Sequence, residues 1–303
     1  MINPYRLFEQ CVYDIAMRGI ILAGGSGSRL WPLTKSVNKH LLPVFDKPLV
    51  HYPLATLMLA GIRKILIVSG PGHIEMFKSH FGSGTQLGLE IEYQLQPIPG
   101  GLPQGIILAE NFIANDSFAL ILGDNIFHGV GLGQALPAKA EFTGAKMICY
   151  QVSDPERFGI AEINNGQVIS LEEKPKHPKS NLAITGFYFF DVKAIDYAKK
   201  LNPSARGELE IVDLLRKYLE NDALNYEILP RGTAWLDTGT PDALLEAANY
   251  IQVLEKRQGL KVSCIEEIAW RNGWISDSEL NELANGINNP DYASYLQNLL
   301  KHT

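Results

Sequence analysis

The chain has 303 residues, 46% of them hydrophobic, enough to bury the core of one large α/β domain or two small ones. A net charge of −6 with no Lys/Arg block argues against nucleic-acid and membrane-surface partners, and no apolar run is long enough to span a bilayer. Three cysteines, Cys11, Cys149 and Cys264, are widely spaced without a CxxC pair, which implies reduced thiols and a cytoplasmic setting.

Residues 1–17 lack the basic start of a signal peptide and contain Glu9 and Asp14. Asn3-Pro4 suits a helix start, and Leu7, Phe8, Cys11, Val12, Ile15 and Ala16 share one helical face. Two readings stay open for this N-terminal extension: a short packed helix, or a leader produced by starting translation upstream of Met17. Then apolar runs alternate with helical patterns. "GIILAG" (19–24), "ILIVSG" (65–70), "SFALILGD" (117–124) and "KMICYQV" (146–152) are too apolar on both faces for a half-exposed sheet and predict buried strands. "KPLVHYPLATLMLAG" (47–61) between the first two predicts a helix stopped by Gly61, hence a β-α-β unit. "GIAEINNGQVISLEEKP" carries two alternating runs around Asn164-Asn165-Gly166, a hairpin signal. "AITGFYFFD" and "AWLDTG" predict further strands, and "PDALLEAANYIQVLEKRQG" a helix with a Pro start and a Gly stop.

These patterns predict an α/β fold: a Rossmann-like, mostly parallel central sheet with an inserted β-hairpin region and C-terminal helices. The divisions expected are an extension (1–17), a main domain (18–259) and a helical appendage (260–303). In the appendage Trp270, Trp274, Ile275 and Leu299 need a cover, either their own sheet or another subunit. Ligands of such sheets lie beyond the carboxyl ends of the strands, and the chemical candidates sit just past apolar runs.

The glycines after the first strand can bring backbone N–H groups to phosphate. The P-loop string is absent, and a dinucleotide fingerprint started at Gly25 meets Leu30 where its third glycine belongs. What remains is Arg29 in a glycine loop: a guanidinium able to clamp phosphate, or a surface arginine on a tight turn. Two carboxylates, Asp124 and Asp237, end strand-like runs; taken alone, Asp124 reads equally as a helix cap or turn and as a functional acid.

"GIILAGGSGSRLWPLT" and "NKHLLPVFDKPLVHYPL", followed in order by "LGDN", "DPERFG", "SLEEKP", "TGFYFFD", "RGELEI", "AWLDTGT" and "EKRQGLK", resemble the sugar-1-phosphate nucleotidylyltransferases, within them the glucose-1-phosphate thymidylyltransferases. The resemblance covers nearly the whole chain from Met17. It implies Mg²⁺-dependent transfer of a thymidylyl group from dTTP to glucose 1-phosphate, for deoxysugar (dTDP-rhamnose type) biosynthesis, in a cytoplasmic homotetramer with a regulatory nucleotide-sugar site between subunits. By resemblance Asp124 and Asp237 are the metal ligands, and Arg29 and Lys39 hold the triphosphate. Lys174 holds the sugar-linked phosphate. Gly24, Gly25, Gln96 and Gly101 meet the nucleotide, Gln96 and Gly101 reading the base. Gly159, Glu173, Ile184 and Thr185-Gly186 line the sugar pocket, while Trp235 packs beneath Asp237. Against the family pattern His40 replaces Gln, Ser28 Thr, Gly100 Asp, Pro103 Ala, and Val212 and Leu215 Thr and Asn. His40 is either a new phosphate or base contact or a tolerated polar swap. Two other functions are a UTP-dependent uridylyltransferase and a catalytically silent regulatory paralogue; the second requires loss of Arg29, Lys39, Asp124 or Asp237.

Overall fold

The apolar run after Met17 forms β1 (Arg18–Ala23), whose alternate residues enter two different cores. Ile20 and Leu22 join one buried cluster, Ile21 and Ala23 the other. Burial on both faces is why the strand is continuously apolar. The computed structural model describes residues 17–25, 27–129, 132 and 143–301. The helix or leader expected before Met17, with Cys11 in it, lies outside the described residues.

A hairpin of β2 (Pro43–Val44) and β3 (Lys47–Pro48) leads into α1 (His51–Leu59). This shortens the helix expected from Lys47: Pro48 favours an extended Lys47, which pairs with Val44. Gly61, at φ 83°, follows the end of the helix in the left-handed region. Next come β4 (Lys64–Ser69), α2 (Ile74–Phe81) and β5 (Glu90–Leu95). α3 (Leu102–Leu108) and α4 (Glu110–Ile113) then precede β6 (Phe118–Leu122). β4 and β6 flank β1, both parallel to it, and β5 continues parallel beyond β4. The chain therefore leaves β1 to one side and returns on the other. That reversal opens a crevice at the carboxyl end of β1.

The second half is β7 (Asn125–His128), β8 (Ala145–Gln151), β9 (Gly159–Asn164), β10 (Gln167–Glu173) and β11 (Leu182–Phe190). After them come α5 (Lys193–Lys199), α6 (Ile211–Leu219), β12 (Leu224–Ile228) and β13 (Ala234–Asp237). The sheet runs β10-β9-β11-β6-β1-β4-β5, with β8 paired to β11 and β12. β11 is antiparallel to β6 and carries the hairpin half. The β9–β10 turn has Asn165 and Gly166 at φ 49° and 77°, as the Asn-Gly pair demands.

α7 (Pro241–Gln258) starts on Thr240, whose hydroxyl accepts from Ala243 N, and stops at Gly259, φ 69°. The tail forms α8 (Ile265–Arg271), α9 (Asp277–Gly286) and α10 (Pro290–Leu299). Ile265, Ile275, Leu280 and Leu299 share one core with Leu54 and Leu57 of α1, and Trp270 and Trp274 pack against it. Full burial of such side chains contributes about 1.5–3 kcal/mol each before ordering costs. The cover that the tail needs is thus its own chain.

Candidate active site

The crevice is built around the loop after β1. Its entrance is pinned where the Ala23 carbonyl accepts from Asn38 Nδ2 (3.2 Å) and Ser69 Oγ (3.0 Å). Beyond it the glycines permit close approach. A Cβ on Gly24 would lie 2.2 Å from Gln96 Oε1, and one on Gly25 would lie 3.4 Å from Lys39 Nζ. Gln96, just past β5, is buried, so its amide lies over the loop backbone.

Lys39 begins a single 3₁₀ turn capped by Asn38, and its Nζ lies 2.5 Å from Asp124 Oδ2. Asp124 follows β6, and its other oxygen accepts from Asn125 Nδ2 at 3.1 Å. Thr238 clips the two strand ends together: its N–H (3.1 Å) and hydroxyl (2.8 Å) both donate to the Asp124 carbonyl. Asp237, paired in register with Asn125, thereby stands beside Asp124. The Arg29 guanidinium rests on Gly239, where a Cβ would lie 2.7 Å from Nη2 and 3.2 Å from Asp237 Oδ1. Arg29, Lys39, Asp124, Asp237, Gly24, Gly25 and Gln96 are thus brought together in one row.

The two carboxylates are driven apart electrically. Burial alone would raise Asp124, but the Lys39 ammonium and the hydrogen bonds from Lys39 and Asn125 hold it well below the usual carboxylate range. Burial, then the charge of Asp124, push Asp237 up against the weaker pull of Arg29, Lys39 and Arg157. Among the described residues the Asp237 carboxylate has no hydrogen-bond or ion-pair partner. Two hard oxygen donors, one of them with no close ion-pair partner among the described residues, fit a magnesium ion that would draw its remaining ligands from phosphate and water.

A second group forms where β9, β10 and β11 meet. A Cβ on Gly159 would lie 3.3 Å from Glu173 Oε2, 3.6 Å from Ile184 Cδ1 and 3.2 Å from Val212 Cγ2. Lys174 follows Glu173 with φ 45° and an exposed ammonium 3.6 Å from its carboxylate. Thr185 is turned away, its hydroxyl donating to the Ile148 carbonyl at 2.8 Å. Gly101, φ 92°, lies against Leu209 at the start of the 209–219 segment.

Asn125 joins the two groups. Its Oδ1 accepts from Gly186 N (3.1 Å) and from Trp235 Nε1 (2.6 Å). Trp235 in turn faces Phe158 at 5.0 Å between ring centroids, next to Gly159. So Trp235 is a packing residue that also orients Asn125. His40 is buried against Gly123, its Nδ1 lies 2.6 Å from Asn38 Oδ1, and burial drives it down to about 3, which favours the polar swap over a ligand contact. Sequence inspection gave no role to Asn125, Arg157, Arg206 or Gln104. The first three lie inside the blocks "LGDN", "DPERFG" and "RGELEI". Arg206 reaches Glu210 at 2.8 Å and Glu173 at 3.8 Å. The 710 Å³ cavity between the β9–β10 turn and β12 contains none of these residues.

The nucleotidyl transferase family profile matches residues 18–253. The chain belongs to that family. It is 54% identical over 94% of its length to the whole of the glucose-1-phosphate thymidylyltransferase of Neisseria meningitidis. The enzyme of that name from Xanthomonas campestris is 53% identical, over 94% of this chain and 97% of the relative. A crystal structure of a putative glucose-1-phosphate thymidylyltransferase from Bacillus anthracis, in complex with a sucrose, superposes with a TM-score of 0.72 at 44% identity, covering 77% of this chain and 94% of that one. A UDP-glucose pyrophosphorylase complexed with UDP-glucose shares the fold, with a TM-score of 0.69 at 23% identity over 80% of this chain and 99% of that one. In this nucleotidyl transferase Asp124 follows β6 and Asp237 ends β13, beside one another at the crevice.

Proposed function

We propose that this nucleotidyl transferase moves a thymidylyl group from dTTP to glucose 1-phosphate, releasing pyrophosphate and forming dTDP-glucose. The observation that carries the proposal is the convergence of Arg29, Lys39, Asp124 and Asp237 at the carboxyl end of β1. The thymidylyltransferase relatives, matched along nearly their whole length, support the choice of nucleotide and sugar.

The nucleophile is a phosphate oxygen of glucose 1-phosphate, already ionised, so no general base or covalent protein intermediate is needed. Attack at the α-phosphorus forms one P–O bond as the bond to pyrophosphate breaks. Arg29 and Lys39 offset the charge that builds on the triphosphate, and Lys174 holds the sugar-linked phosphate. Asp124 and Asp237 would hold Mg²⁺, which would supply Lewis-acid polarisation of the phosphates. Gln96 and Gly101 meet the base; Gly159, Glu173 and Ile184 meet the glucose, with Glu173 able to accept from two hydroxyls.

UTP is the second nucleotide, because a pocket separates one methyl group by only about 1–3 kcal/mol. A silent regulatory role is disfavoured, since all four residues whose loss it requires are in place. The wider reading is a cytoplasmic homotetramer with a feedback site, serving dTDP-rhamnose-type or polysaccharide synthesis. It rests on the family, because the tail's apolar residues are covered within one chain. Among the described residues no helix is long and apolar enough to cross a membrane.

Initial rates with dTTP, UTP, CTP and ATP against glucose 1-phosphate test the proposal. dTTP should lead, UTP should follow, EDTA should stop pyrophosphate release, and Mg²⁺ should restore it. A purine preference, or an Asp124→Ala enzyme as active as the parent, would refute it.

A further inference from the structure

We infer that Gln104 is a specificity-determining positioning residue: it locks the amide of Gln96 in the one orientation that accepts the N3–H of thymine or uracil and turns cytosine away. The inference rests on Gln96 meeting the base, as proposed above.

The lock is set by the backbone. The Gly100 N–H can only donate, and it donates to Gln104 Oε1 at 2.9 Å. That oxygen, so fixed, can only accept, and the group facing it at 2.8 Å is Gln96 Nε2. The same nitrogen has the Gly101 carbonyl 3.5 Å away. Both hydrogens of the Gln96 amide therefore point into the protein. Its Oε1 is left over the Gly24 backbone, at the head of the row that runs on through Gly25 and Lys39 to Asp124. A side-chain amide can turn end for end and offer a donor where it offered an acceptor. Here a turn would place two acceptors, Gln96 Oε1 and Gln104 Oε1, against each other. A base entering along the row thus meets an acceptor. Thymine and uracil carry hydrogen on N3; cytosine presents a lone pair there. A site committed to one partner leaves buried polar groups unpaired when the partner is wrong, which is the strong form of discrimination. The 5-methyl group plays no part, so the lock separates dTTP and UTP from CTP and leaves dTTP against UTP to packing.

The test compares Gln104→Met, which removes the acceptor at nearly constant length, with Gln104→Glu, which keeps it. kcat and KM are measured for dTTP, UTP and CTP at saturating glucose 1-phosphate. In the Met variant the preference for dTTP over CTP in kcat/KM should fall at least tenfold, mostly through KM, with the dTTP-to-UTP ratio unchanged. The Glu variant should keep the dTTP-to-CTP preference within about threefold of the parent. A Met variant with unchanged preference overturns the inference. So does a Glu variant that loses it, and that result alone decides if the Met variant does not fold. A parent enzyme that uses no pyrimidine triphosphate defeats the proposed function instead, before either variant is made.

Discussion

The pair Lys39–Asp124 allows a direct test of how the site is held. Both side chains are nearly buried, 13% and 11% exposed, with 2.5 Å between Nζ and Oδ2. At an effective dielectric constant of about 20 their attraction is of the order of 7 kcal/mol, and desolvation removes much of it. Breaking such a pair costs more than its net worth, about 3–5 kcal/mol, because the remaining charge is stranded. Lys39→Met strands Asp124 beside Asp237, so the upper half of that range is expected, a fall in Tm of about 8 °C at about 2 °C per kcal/mol. Asp124→Asn strands only a lysine with some solvent access and relieves Asp237, so about 1 kcal/mol is expected. The double variant should then resemble Asp124→Asn, giving a coupling of at least about 2 kcal/mol. Thermal unfolding in EDTA at neutral pH measures all four proteins. Mg²⁺ should raise the Tm of Lys39→Met more than that of the parent, since a cation replaces the lost ammonium. Additive single variants, or a Lys39→Met protein that melts within 2 °C of the parent, would show that the pair does not hold the site.

His51 is buried, with its Nε2 2.7 Å from His80 Nε2 and Lys47 and Asp46 nearby, and burial followed by the neighbouring His80 and Lys47 drives it down to about 3. A base depressed in the folded state supports stability above its unfolded value of about 6.5, and that support fades as pH falls towards 3. By pH 5 the loss amounts to about 2 kcal/mol, so urea titrations of His51→Leu should show a shallower acid slope than the parent; parallel slopes would contradict this. Gly101→Ala places a Cβ 2.1 Å from the Leu209 carbonyl at φ 92°, so the KM for dTTP should rise at least tenfold; an unchanged KM would dissociate this loop from the base. Transfer from dTTP made chiral at the α-phosphorus should invert configuration, and retention would reveal a covalent intermediate. A chain begun at Met17, itself 2% exposed in the core, should keep full turnover; a large loss in folded protein would place residues 1–16 in the site.

The strands buried on both faces were legible because the crevice-bearing sheet needs apolar side chains in both directions, as in Ile20, Ile21 and Leu22. β5 and β12 were not, because they run at sheet edges where one apolar face suffices: of β5 only Ile91 is buried. Asp124 and Asp237 were legible as acids ending apolar runs. Asn125 was not, since what matters about it is the pairing with Gly186 and Trp235, 61 and 110 residues further along. His40 stays open between two readings in the sequence, and packing favours the polar swap. Beside Lys39 it looks like a phosphate contact, yet its ring lies against Gly123 and Asn38 behind the site.

The glycines make the same division in another form. Gly72, Gly166, Gly259 and Gly273 have positive φ, and nothing lies within 4 Å of the Cβ they lack. They are required by the backbone, and turn signals such as Asn-Gly or a helix stop expose them in the sequence. Gly24, Gly25, Gly159, Gly186 and Gly239 are not in that positive-φ set. Their missing Cβ atoms would instead lie within 3.4 Å of Gln96, Lys39, Glu173, Asn125 and Arg29 in turn. Each is absent bulk beneath a polar side chain, which lets that side chain lie along a strand end and face the crevice. Backbone rules alone cannot predict them, because for Gly24, Gly186 and Gly239 the reason lies in a residue tens of positions away, and for Gly25 and Gly159 in one on a separate turn or strand, Lys39 and Glu173. A crevice whose polar groups rest on bare backbone is narrow and fixed, which suits a reaction driven by placing phosphates among charges and needing no nucleophile from the protein.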